Sequence, residues 1–139
     1  MTLYPPFEIS PSLKPSLRIG GAWVCLELTG RYSGDGRAIY QWSIILPDGT
    51  EHSGDDLKSG CAGGDLLEGF KSLLSFLGAC AEAMRYARHK RQDAPWNDPD
   101  SNASLFPEAV ALWCDECGSD AFSMLELELE EAEGDLIEA

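Results

Sequence analysis

Residues 65–91 read DLLEGFKSLLSFLGACAEAMRYARHKR, and this stretch decides the fold class. Leu66, Leu67, Phe70, Leu73, Leu74, Leu77, Cys80, Ala81, Met84 and Ala87 recur at i, i+3, i+4, i+7 spacing. That period places one apolar stripe along a helix of about six turns. Asp65 stands where an N-cap is wanted. Arg85, Arg88, Lys90 and Arg91 load the far end, where the helix dipole favours cations. The stripe is wide enough to be the core-facing side of the chain's principal helix.

Upstream of it the period changes from 3.6 to two. From Leu17 to Thr29, LRIGGAWVCLELT alternates Trp23, Cys25 and Glu27 against Val24, Leu26 and Leu28, which is a strand pattern. Gly34-Asp35-Gly36 supplies a turn. AIYQWSIIL then alternates Ile39, Gln41 and Ser43 against Tyr40, Trp42 and Ile44, and ends at the turn sequence Pro47-Asp48-Gly49. A short strand at Glu51 to Ser53 returns along it. The expected fold is α+β: an antiparallel meander of three to four strands packed against the long helix. Residues 1–16, rich in proline, read as an N-terminal arm, residues 17–131 as a single domain and residues 132–139 as an acidic tail.

Downstream, QDAPWNDPDSNAS reads as a surface linker. LFPEAVALWCDECG reads as a shorter helix over 107–117, with Pro107 in its first turn, Gly118 after its end, and Val110, Leu112, Trp113 and Cys117 on its apolar side. The last segment, LELELEEAEGDLIEA from Leu125, alternates Leu125, Leu127 and Leu129 against Glu126, Glu128 and Glu130. Strict alternation is the strand template, and on a helix these leucines would point in three directions. The expectation is therefore an acidic strand over 123–130, with its charges discouraging edge pairing.

Length and composition bound the function. At 139 residues the chain can bury a real core. Its 24 acidic against 10 basic residues leave a net charge of −14, a field that repels nucleic acid and anionic lipid and attracts basic surfaces. No apolar run is long enough for a membrane span. The first residues, MTLYPPFEISPSLKP, hold no apolar signal core, and five irregularly spaced cysteines do not form a secreted disulfide framework. A reduced, cytoplasmic protein is expected.

Motifs for chemistry are sparse. Cys114 and Cys117 form a C-x-x-C that would supply two of the four ligands of a zinc site, without a second closely spaced pair to complete it. Asp115 and Glu116, near a helix C-terminus, oppose the low thiol pKa that redox chemistry needs. GCAGGDLLEGF matches neither phosphate-binding loop pattern, and Asp55, Asp56 and Asp65 would repel a phosphate. His52 and His89 lack the spacing of a nucleophile–base pair. No catalysis and no cofactor are expected.

What remains is charge. Between Asp120 and Ala139 lie eight carboxylates and no cation. On a strand, Glu126, Glu128 and Glu130 would project at about 6.8 Å intervals, a spacing comparable to that of phosphates along one nucleic-acid strand. The candidate partner-binding residues are these three with Glu131, flanked by Asp115 and Asp120. The whole profile is similar to that of bacterial immunity proteins and phage anti-defence proteins, anti-CRISPRs among them. That similarity is one of type and rests on no motif. It implies an acidic inhibitor, a nucleic-acid mimic, that occupies a basic surface on a nuclease, toxin or defence complex without itself binding nucleic acid or membrane. A small interaction module stabilised by zinc at Cys114 and Cys117 is the alternative.

Overall fold

The computed structural model describes the backbone of residues 7–11, 15–32, 34, 36, 38–54, 62–63 and 66–138. Six strands, β1 (Phe7–Ile9), β2 (Pro15–Ile19), β3 (Ala22–Tyr32), β4 (Ala38–Ile45), β5 (Glu51–Gly54) and β6 (Ala62–Gly63), form one sheet. β1 to β5 make an antiparallel meander in chain order, and β6 pairs with Ala38 and Ile39 of β4. Three helices follow: α1 (Leu66–His89), α2 (Glu108–Cys117) and α3 (Ser119–Glu138). The fold is α+β.

Period-two alternation sorts the strands into two faces. Leu17 pairs with Val24, Val24 with Ile44, and Leu26 with Trp42, so these side chains share the inner face and are buried. Ser16, Cys25 and Ser43 line up on the other face, where the Ser16 hydroxyl lies 2.9 Å from Cys25 Sγ. Arg18 stacks over the Trp23 ring beside them. The inner face shares one continuous core with the apolar stripe of α1, whose Phe70, Leu73, Leu74, Leu77 and Cys80 are fully buried.

The segment 17–29, expected as one strand, is broken at Gly20-Gly21. Both glycines have positive φ, +52° and +79°, as a two-residue hairpin turn demands. The sheet consequently extends into the arm, since β1 pairs with β2. At the β4–β5 turn Asp48 Oδ1 accepts from the Thr50 backbone N–H and hydroxyl, which holds the Asp48 carboxyl below its usual range. Of the expected turn at 34–36, Gly36 has φ +85°, while Asp35 lies outside the described residues. The expected N-cap Asp65 and the loop residues 55–61 also lie outside them.

The expected surface linker holds two 3-10 turns, Pro95–Asn97 and Asn102–Leu105, with Pro95 and Ala103 buried. Trp42 meets Phe106 edge to face at 5.3 Å, tying this segment to the sheet. α2 begins one residue after Pro107 and ends at Cys117, and the C-cap Gly118, with φ +81°, turns the chain directly into α3.

The acidic strand expected over 123–130 is a helix. α3 packs along α1 and buries Phe122 and Leu129, with Leu125 half-buried. These three recur at i, i+3, i+7, which is the helical stripe that alternation concealed. Leu127 points away and is 59% exposed. Leu, Glu and Ala are strong helix formers, while Glu is a poor strand former, and local propensity agrees with the packing. Residues 132–138, expected as a tail, continue the helical backbone. No described helix is long and apolar enough to cross a membrane.

Candidate partner-binding surface

The helix redistributes the six carboxylates. On a strand Glu126, Glu128 and Glu130 would share a face. On α3 Glu126 and Glu130 lie one turn apart on one side, while Glu128 and Glu131 lie on another, so the 6.8 Å ladder of charges does not exist. Glu128, Glu130 and Glu131 are exposed. Between them, on the outward face, stand Met124 and Leu127, 65% and 59% exposed. On the expected strand Leu127 would share one face with Leu125 and Leu129, and no role was expected for Met124. A helical period would have revealed both as outward residues.

Glu126 faces inward, toward α1. It borders a depression of about 260 Å³ with Ser75, Gly78, Ala79, Glu82, Ser119 and Ser123. Burial pushes its carboxyl above the usual range, and Glu130 one turn away adds to the rise against the opposing pull of Lys71. α3 comes near α1 at Gly78, where a Cβ would lie 3.7 Å from that of Phe122.

Asp115 and Asp120 sit at the other end of the helices, beside cations. Arg88 Nη2 lies 2.9 Å from Asp115 Oδ1, and Arg85 and Arg88 line a small cavity with both aspartates. Asp115 is ion-paired with Arg88, and Asp120 shares the cavity with both arginines. The structure thus does not bring the six residues onto one surface: Glu128, Glu130 and Glu131 are outward on α3, Glu126 turns toward α1, and the two aspartates belong to a mixed-charge patch.

A second acidic concavity was not foreseen. A cavity of about 520 Å³ opens on the outer side of α1, between Ala79, Glu82, Ala83 and Tyr86 and the segment carrying Gln92, Asp98, Asp100, Ser101 and Asn102. It shares Ala79 and Glu82 with the depression at Glu126, so the two adjoin across α1. Asp98 is fixed there, accepting from the Asp100 backbone N–H at 3.0 Å and from Gln92 Nε2 at 3.2 Å. Its residues come from two segments, which is why no linear pattern announces it.

Among the described cysteines, Cys25, Cys80 and Cys114 are buried and Cys117 is half-buried. Cys114 is buried, and its thiol is pushed far up by its hydrogen bond to Cys80 and by burial. Cys117 lies against the Gly20 turn, and burial, with Glu116 nearby, raises it to about 11. Thiols raised in this way hold little thiolate near neutral pH and are poor nucleophiles. Among the described residues no group of three or more His, Cys, Asp or Glu is placed to hold a metal ion.

No protein-family model, curated protein or solved structure matches the chain.

Proposed function

We propose that the protein is a non-catalytic, acidic binding protein that inhibits a basic, nucleic-acid-handling partner by occupying its functional surface. The setting is the cytoplasm, and the biological type is phage anti-defence, anti-CRISPR included, or toxin immunity. The observation that carries this reading is the outer face of α3, where exposed Met124 and Leu127 stand among exposed Glu128, Glu130 and Glu131. Apolar anchors ringed by charge of one sign suit a partner whose surface is basic around an apolar pocket. The net charge of −14 supports it by steering such a partner in and keeping nucleic acid and anionic membranes away. The mimicry is of overall charge and not of phosphate spacing, because the carboxylates of α3 do not form a ladder.

The test is capture from host lysate with tagged protein, identification of the retained partner by mass spectrometry, and assay of that partner's nucleic-acid binding or cleavage. A basic nuclease, toxin or defence component, inhibited by stoichiometric protein, is the expected result. A retained partner that is acidic, or one whose activity is untouched at saturation, overturns the reading.

A further inference from the structure

The two adjoining depressions on the outer side of α1 make a groove with a floor, two walls and a sign. Its floor is small, made by Gly78, Ala79 and Ala83, so side chains of the helix do not fill it. One wall is α3 with Ser123 and Glu126, and the other is the 3-10 segment with Asp98 and Asp100. From Ser75 to Tyr86 it runs for roughly 16 Å at about 1.5 Å per residue. Glu82 sits where the two depressions meet, and the Tyr86 ring, 63% exposed, closes one end. Two cations stand at the margins: Lys71 near Glu126, and Lys90 with Nζ 5.7 Å from the Tyr86 ring centroid. Both are marginal to the groove, whose own lining is acidic.

We propose that this groove seats a short basic segment of the partner polypeptide, with one lysine or arginine side chain in each depression. The inference rests on the reading of the protein as a binder of basic partners and adds a recessed anchor to the outward face of α3. Charge complementarity selects the occupant. Glu126 and Glu82 meet a cation in the smaller depression. Asp98, Asp100 and Glu82 meet a second in the larger one. Asp98 keeps lone pairs free beyond its two internal bonds. Phosphates and anionic lipids are excluded by the same carboxylates. A second copy of the chain would have to present its own cluster of Arg85, Arg88, Lys90 and Arg91, and the experiment separates that case.

The probe is a nine-arginine peptide, with its neutral citrulline counterpart as control, titrated at low salt into protein labelled on alanine and methionine methyls. Saturable shifts of the Ala79 and Ala83 methyls with arginine and none with citrulline are expected. Ala79→Trp, which fills the floor without changing charge, should weaken binding about ten-fold or more. The pair Glu82→Gln and Asp100→Asn should do the same without added bulk, while E128K/E131K should have the smaller effect. Shifts confined to the Met124 methyl, with affinity unchanged in both groove variants, overturn the groove and leave the acidic-binder reading standing. No saturable shift at any methyl with the arginine peptide counts against both. Concentration-dependent dimers by light scattering that Ala79→Trp abolishes would make a second copy the occupant and overturn the partner-segment proposal.

Discussion

Gly20 shows how one position couples turn chemistry to tertiary packing. Its φ of +52° suits glycine, and a Cβ there would come within 2.6 Å of Cys117 Sγ. Gly20→Ala should cost about 1–3 kcal/mol through both effects. Adding Cys117→Ala should restore the steric part and leave the backbone part, which a double-mutant cycle by chemical denaturation resolves. Strict additivity of the two changes would show that the contact does not matter. Glu126 makes a pH-dependent prediction. Its carboxyl is raised by burial and by Glu130, so the folded protein holds the proton more tightly than the unfolded chain. The charged form therefore costs stability at pH values above the folded pKa, and that cost fades as pH falls through the carboxylate range. Glu126→Gln should stabilise the protein at pH 7 and lose its advantage in acid, read from melts across pH. An advantage that grows in acid would reverse the assignment. For Cys114 and Cys117, whose thiols are raised and engaged in packing, purified protein should carry well under one zinc equivalent, and EDTA should leave the melting temperature unchanged. Stoichiometric zinc with an EDTA-lowered melt would favour the zinc-stabilised module.

At the scale of elements, α1 and the β3–β4–β5 meander were legible because apolar period and turn residues agree there. The stripe from Phe70 to Ala87 has one reading, and the alternation around Trp42 pairs with it. Gly20-Gly21 was passed over although it is itself a turn signal, because the apolar pattern continues on both sides of it. α3 failed for a different reason. Three leucines at period two satisfy the strand template, and only Phe122 three residues before Leu125 reveals the helical stripe. Tertiary packing against α1 decides between them. The two geometries differ in what leucine truncation does. On a strand Leu127 and Leu129 would be equivalent. On α3 Leu129 is fully buried and Leu127 is 59% exposed. Leu129→Ala should cost about 2–5 kcal/mol and Leu127→Ala less than about 0.5 kcal/mol in the isolated protein. Equal losses by denaturant titration would restore the strand.

Across the whole molecule the charge was visible in composition, but its placement was not. Of six carboxylates singled out along the sequence, Glu128, Glu130 and Glu131 remain outward, Glu126 turns toward α1, and Asp115 and Asp120 fall beside Arg85 and Arg88. The acidic groove joins α1 to a segment that begins at Gln92, and no residue pattern foretells such a junction. Field and contact then have separable consequences. The −14 charge governs the approach of a basic partner, so association slows as salt shortens the Debye length. Met124 and Leu127 govern residence once docked, and their removal should act on dissociation. The most direct measurement is the association rate of the captured partner against ionic strength, for the wild type and for E128K/E130K/E131K. A wild-type rate that falls steeply with salt is predicted, with the variant slower by roughly ten-fold or more at low salt and converging on the wild type at high salt. Equal rates for both proteins at every ionic strength, with the variant melting like the wild type, would contradict the account.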